Sequence, residues 1–197
     1  SVRGTPSKSV TIAEVAKLAY RQAHTLPADV DSSLEATVRF RPNRFPTWSN
    51  ATHGCIVEVD PETGLVDIKR YVVSEDCGQM INPMVVEGQI AGGVAQGIGG
   101  VLFEDMAYDD EGNPLATTFL DYLLPSAPEI PDFEYGHVES MSATLGGYKG
   151  MGEGGAIASP PAVANAINDA LAQLGVPPLT AFPFGPSQIV DAINAAR

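Results

Sequence analysis

Residues 82–104 constrain this chain more than any other stretch. Asn82-Pro83 reads as a helix start, with asparagine as the cap and proline in the first position. The apolar run that follows carries the helix to about Glu104, yet Gly88, Gly92, Gly93, Gly97, Gly99 and Gly100 lie inside it. An exposed glycine within a helix costs about 1 kcal/mol relative to alanine. So many are tolerated only where something large packs closely against that face. Two occupants meet the requirement: another helix or strand, or a bound cofactor near Gln89 and Gln96. The residues alone leave both open.

Other elements follow from local patterns. Ser9 to Ala23 is expected as a helix, because Thr11 and Glu14 have capping-box spacing and Ile12, Val15, Ala16, Ala19 and Ala23 form an apolar stripe. Leu34 to Phe40 alternates as a strand does, and Arg41 to Pro46, with two prolines, is expected to be irregular. Cys55–Val59 and Leu65–Val73 are β-rich runs joined by Asp60-Pro61-Glu62-Thr63-Gly64, a hairpin in which proline presets the turn and glycine supplies positive φ. Asp109 to Asn113 reads as a turn that lacks the other ligands of a calcium loop. Thr117 to Leu124 is expected to be extended, Pro125 to Pro131 a loop and Phe133 to Ser140 a strand. Two further helices are expected, Pro161 to Leu174 and Pro186 to Ala196, the first stopped by Gly175-Val176-Pro177-Pro178.

Charge and composition narrow the function classes. The 197 residues hold 24 acidic and 11 basic side chains, a formal net charge of −13. Such a chain is repelled by phosphate backbones and offers no cationic face to anionic lipid, so no nucleic acid and no membrane are expected as partners. Cys55 and Cys77 make neither a disulfide framework nor a zinc site, and both read as buried packing. His24, His53 and His137 are too scattered for a metal cage built from this chain. The start of the sequence has no signal core, and Val85 to Phe103 is too polar and glycine-rich to span a membrane, so the expected location is the cytoplasm.

The stretch richest in chemistry is Gly146-Gly147-Tyr148-Lys149-Gly150-Met151-Gly152-Glu153-Gly154-Gly155, with six glycines in ten residues. Glycines let a backbone approach a ligand and expose its N–H groups. The stretch is neither a phosphate P-loop, since no Gly-Lys-Ser/Thr ending is present, nor a dinucleotide fingerprint. Glu153 stands alone among glycines just before a helix. It is either a solvated acid favoured by the helix dipole or a general base held in a confined pocket.

Taken together, these segments resemble the molybdenum hydroxylases, the xanthine dehydrogenase, aldehyde oxidase and carbon monoxide dehydrogenase family. The Lys149 to Gly155 loop running into Ala156–Ile167, the Val57 to Gly64 hairpin, the Asp76-Cys77-Gly78 to Asn82-Pro83 lead-in, and Gly88 to Gly99 occur in the family's order and spacing. They cover roughly residues 1–172. Gly154-Gly155 places the chain nearest the carbon monoxide dehydrogenase-like branch.

The resemblance implies an α+β fold: mixed strands packed with a long glycine-rich helix and C-terminal helices, part of a molybdenum-cofactor-binding domain. It implies that Glu153 is the general base, and that Gln89 and Gly152 are cofactor-binding. An amide such as Gln89 offers both donor and acceptor to a pterin edge. The implied cofactor is molybdenum-molybdopterin, in its cytosine dinucleotide form, with the metal held by the cofactor's dithiolene and no protein side chain as metal ligand. The implied reaction is oxidative hydroxylation of an aldehyde or N-heterocycle, or oxidation of carbon monoxide, with water as oxygen source. The implied partners are the remainder of the large molybdenum subunit, an iron–sulfur small subunit, an FAD medium subunit and a small-molecule substrate.

The family's catalytic subunit is several times longer than 197 residues. Residues 1–197 are therefore expected to be the C-terminal portion of its molybdopterin-binding domain, not competent alone. The competing expectation is a non-catalytic assembly or ligand-binding module that retains the fold. An intact Glu153 and Gln89 argue against it, because a scaffold needs neither.

Overall fold

The computed structural model describes residues 3–41 and 47–197. The irregular segment expected at 41–46 lies almost wholly outside the described residues. The chain divides into two units, Ser1–Pro42 and Asn43–Arg197.

The first unit holds α1, Ile12–Arg21, and a 3-10 turn at Ala23–Thr25. The capping box is present: Glu14 N–H donates to Thr11 Oγ1 at 3.2 Å, and Thr11 N–H donates to the Glu14 carboxylate at 2.7 Å. The helix is shorter at both ends than the apolar stripe suggests, because Thr11 caps it and the chain tightens after Arg21. The alternating residues 34–40 form no strand. Leu34, Val38 and Phe40 are largely exposed, and none of the described residues pairs with this segment. Alternation makes a strand only where a neighbouring backbone accepts its hydrogen bonds.

The second unit is built on a three-stranded sheet. β1, Asn50–Val59, pairs antiparallel with β2, Val66–Asp76, and β2 pairs parallel with β3, Phe133–His137. The hairpin turn forms as expected. Asp60 Oδ1 accepts the Glu62 N–H at 2.8 Å, and Gly64 takes φ +75°. A Cβ at position 64 would stand 2.1 Å from the Pro186 carbonyl oxygen, so the turn also rests on the start of the last helix.

Three helices cover the sheet: α2, Pro83–Leu102; α3, Gly154–Ala172; and α4, Pro186–Ala196. Tyr71 and Val73 of β2, Ile90, Val94 and Ile98 of α2, Val163, Ile167 and Leu171 of α3, and Ile189 and Ile193 of α4 form one buried cluster. Burying such a side chain stabilises the fold by roughly 1.5–3 kcal/mol.

The glycines of α2 divide into two groups apart from Gly99, where a Cβ would run into the Glu104 carboxylate and stand 3.0 Å from Pro125 Cδ. A Cβ at Gly93 would stand 2.6 Å from the Ala156 nitrogen, and one at Gly97 would overlap the Ser159 side chain. Reciprocally, a Cβ at Gly155 would stand 2.4 Å from the Ile90 carbonyl oxygen. This face of α2 is therefore occupied by another helix, α3. Gly88, Gly92 and Gly100 have no neighbour within 4 Å of a built Cβ. Of the two occupants the sequence allowed, the helix accounts for the first group only.

α3 begins two turns before the expected Pro161. Pro160 and Pro161 lie inside it. Proline lacks the N–H that would bond the carbonyl four residues earlier. The Ser159 hydroxyl, wholly buried, compensates by donating to the Ala156 carbonyl at 3.4 Å and the Gly93 carbonyl at 3.3 Å. Thr117 to Leu124 is a turn rather than extended, because Asp121 accepts from the Thr118 N–H and hydroxyl at 3.2 and 2.9 Å. β3 ends at His137, three residues before the expected limit. The turn at 109–113 and α4 match expectation.

Candidate functional site

The glycine loop runs along the end of β2 and finishes at the start of α3. Glu153 is the N-cap of α3, with φ −109° and ψ 0°. Its carbonyl accepts the N–H groups of Ala156 and Ile157 at 2.9 and 3.2 Å, but its side chain makes no capping bond. The carboxylate is exposed. It is thus not consumed in closing the helix, and the described residues alone do not build a confined pocket around it.

Gln89, in the second turn of α2, reaches the same loop. Its side-chain Nε2 donates to the Gly152 carbonyl at 2.9 Å. This bond joins two of the three residues expected at the site and places them next to the third. One amide hydrogen and Oε1 of Gln89 remain for another partner. The exposed residues Met84, Val85, Gly88, Gln89, Gly92 and Gln96 share this open side of α2.

Other ties hold the loop, through residues the sequence reading did not single out as functional. The Lys149 N–H donates to the Cys77 carbonyl at 2.8 Å, and Tyr148 bridges to Gly78. Gly78 has φ +66°, and a Cβ there would stand 2.1 Å from the Gly147 carbonyl oxygen, so only glycine admits this approach. The Lys149 ammonium lies 2.8 Å from Asp76 Oδ2 and 2.6 Å from Ser140 Oγ. The two charged side chains are 9% and 12% exposed.

Asp76 also accepts from the N–H groups of Gly78 and Ser140, at 3.0 and 3.1 Å, and from the Ser140 hydroxyl. Lys149 first, then Ser140 and the Gly78 N–H, hold the Asp76 carboxyl well below the usual carboxylate range. The signal available in the sequence was a lone lysine inside a glycine loop and an aspartate closing a strand, but nothing in the spacing of 73 residues pairs them.

Glu75, the neighbour of Asp76 on β2, is 1% exposed, and its carboxylate oxygens have no hydrogen-bond partner among the described residues. It packs under the first turn of α3, where a Cβ at Gly154 would stand 2.9 Å from Oε1. Burial, reinforced by the Asp76 charge and opposed by His137, pushes its pKa up. Cys77 is buried, as expected, and burial raises its thiol. Cys55 is half-buried and is pushed up to about 11 by the same cause. Among the described residues no group of three His, Cys, Asp or Glu side chains stands ready to hold a metal ion, and no helix is long and apolar enough to cross a membrane.

Comparison with known proteins bears on this arrangement. Residues 1–131 match the model of the molybdopterin cofactor-binding domain. The chain is 47% identical over 193 residues to the nicotine 6-hydroxylase large subunit of Paenarthrobacter nicotinovorans, covering 98% of this chain and 23% of that one. It is 38% identical over 176 residues to the carbon monoxide dehydrogenase large chain of Hydrogenophaga pseudoflava, covering 89% of this chain and 21% of the relative. The crystal structure of quinoline 2-oxidoreductase from Pseudomonas putida 86 superposes with a TM-score of 0.81 at 43% identity, over 100% of this chain and 25% of that one. The chain thus spans about a quarter or less of these relatives' length. The α+β fold with its mixed sheet matches the expectation. By sequence and by structure alike, the chain belongs to the molybdopterin cofactor-binding domain family of the molybdenum hydroxylases.

Proposed function

We propose that residues 1–197 form the C-terminal portion of the molybdopterin-binding domain of a molybdenum hydroxylase large subunit, with Glu153 as the general base. The observation that carries this reading is the Gln89–Gly152 hydrogen bond, which sets an exposed, uncommitted carboxylate beside the open glycine side of α2.

The residues present fit the cofactor. Gly88 and Gly92 leave space where side chains would stand, and Gln89 keeps an acceptor and one donor after its bond to Gly152. Gln89 and Gly152 would hold the molybdopterin, in its cytosine dinucleotide form, and its dithiolene would hold the molybdenum. When bound, the cofactor supplies the two-electron oxidation of the substrate carbon. Glu153 accepts the proton released as water-derived oxygen is transferred. A positioned carboxylate does this well where neighbouring walls exclude bulk water from it. Those walls come from the rest of the large subunit. Iron–sulfur and FAD subunits carry the electrons away.

The named relatives act on nicotine, quinoline and carbon monoxide. An N-heterocycle is the substrate class we assign, because two of those three compounds are N-heterocycles. The test is Glu153→Gln in the assembled complex. Turnover should collapse while molybdenum content holds. Unchanged turnover would remove Glu153 as the base.

A further inference from the structure

We propose that Lys149 is a positioning residue for Glu153, clamping the glycine loop to the end of β2 through its ion pair with Asp76. The inference rests on the reading of Glu153 as the base.

Six of the ten residues from Gly146 to Gly155 are glycine, and a glycine backbone is the most costly to order. Neither Gly150 nor Gly152 has a protein atom closer than 4.0 Å to a built Cβ, so packing in that part of the loop comes from Met151, which lies half-buried against the core cluster. Polar attachment points flank Met151 on both sides. On one side Lys149 is fixed twice, by its N–H on the Cys77 carbonyl at 2.8 Å and by its ammonium on Asp76 and Ser140 at 2.8 and 2.6 Å. On the other side Gly152 is tied to Gln89 at 2.9 Å.

Asp76 is itself immobilised by the Gly78 and Ser140 N–H groups at 3.0 and 3.1 Å. The clamp therefore refers the loop to the sheet, and Glu153 leaves it at a defined place. Among the described residues, the hydrogen bonds of the lysine go to Asp76, Ser140 and Cys77, and none goes to Glu153 or to α2. Its effect on the reaction passes through the position of Glu153.

The experiment uses the intact large subunit in the assembled holoenzyme. Variants are K149M, the double variant K149M/D76N, E153Q, and K149M/E153Q. The double variant removes both charges of the pair, so neither position 76 nor position 149 is left with an uncompensated charge, which guards against simple misfolding. Measured are molybdenum content, kcat and KM, the single-turnover rate of reduction by substrate, and amide hydrogen exchange of residues 146–153.

In K149M and K149M/D76N, kcat should fall by about 10- to 100-fold, the scale of an ångström-sized misplacement, with KM and molybdenum content near parental values. Exchange in residues 146–153 should rise while that of α2 stays unchanged. In the E153Q background, K149M should have no further effect on the single-turnover rate.

The proposal is overturned if K149M and K149M/D76N keep parental kcat, if activity falls only in step with lost molybdenum, or if K149M costs the same factor with and without Glu153. Unchanged turnover in E153Q overturns the base reading alone, since the exchange measurement still decides whether Lys149 holds the loop.

Discussion

The Gln89 amide donates to the Gly152 carbonyl across 2.9 Å, so one side chain joins the open side of α2 to the residue preceding Glu153. An intramolecular hydrogen bond of this kind contributes about 0.5–1.5 kcal/mol net. Gln89→Leu should therefore lower the unfolding free energy by about 1.5 kcal/mol at most. It should also cut the molybdenum content of the intact subunit severalfold. Denaturant unfolding and metal analysis of the same preparation check both.

Gly97 and Gly92 should respond to alanine in opposite directions. At 97 the new methyl would overlap Ser159, which is wholly buried, so Gly97→Ala should destabilise by about 1–3 kcal/mol. At 92 nothing lies within 4 Å, so Gly92→Ala should stabilise the apo chain by roughly 0.5–1 kcal/mol through helix propensity. If the open side receives the cofactor, the same Gly92→Ala should lower molybdenum loading in the intact subunit. Thermal unfolding of the apo chain and metal content of the subunit separate the two effects.

Asp76 should make the fold acid-sensitive. Its carboxyl lies well below the usual range in the folded chain, held there by Lys149 first and Ser140 second. Unfolded, it titrates near pH 3.9, about the value of a free aspartate. Between those two values the unfolded chain binds the extra proton, so the stabilisation is complete above about pH 4 and declines as pH falls further. Asp76→Asn should flatten that acid decline. At neutral pH it should cost about 3 kcal/mol, the lower end for breaking a buried pair and stranding its partner. Unfolding midpoints at pH 3, 4 and 7 are the measurement.

Glu75 carries the opposite sign. Burial raises its folded pKa above the unfolded value near 4.3, about that of a free glutamate. In that interval the folded chain holds the proton and the unfolded chain does not, so stability drops as pH rises from about 4.3 through the folded pKa. Glu75→Gln should abolish this decline, and its stability relative to the parent should improve from pH 4.5 to pH 7.5. A constant difference over that range would mean that Glu75 has the same proton affinity folded and unfolded.

Local rules read much of this fold directly. The Thr11–Glu14 capping box, the Asp60 to Gly64 turn and the Asn82-Pro83 helix start each involve residues within five positions of one another, and all three formed where expected. Failures came where a distant partner decided the outcome. Residues 34–40 alternate like a strand but find no ladder among the described residues. α3 runs back through Pro160 because Ser159 meets Gly93, 66 residues away.

The site divided in the same way. Glu153, Gln89 and Gly152 were named from a family resemblance, and the structure puts Gln89 on Gly152, next to Glu153. The Asp76–Lys149 pair and the buried Glu75 were not legible, because neither residue has a local signature and their meaning lies in tertiary proximity.

The hairpin turn seated on Pro186 has a consequence for synthesis on the ribosome. Phe184 donates its N–H to the Val101 carbonyl at 2.6 Å, and Ile189 and Ile193 complete the cluster that buries Tyr71 and Val73. A nascent chain that has made β1, β2 and α2 still exposes that apolar surface until residues 184–193 emerge from the exit tunnel. Translation that stalls between positions 103 and 184 leaves a half-closed core in solution, which is the form of this chain most exposed to chaperone capture and aggregation.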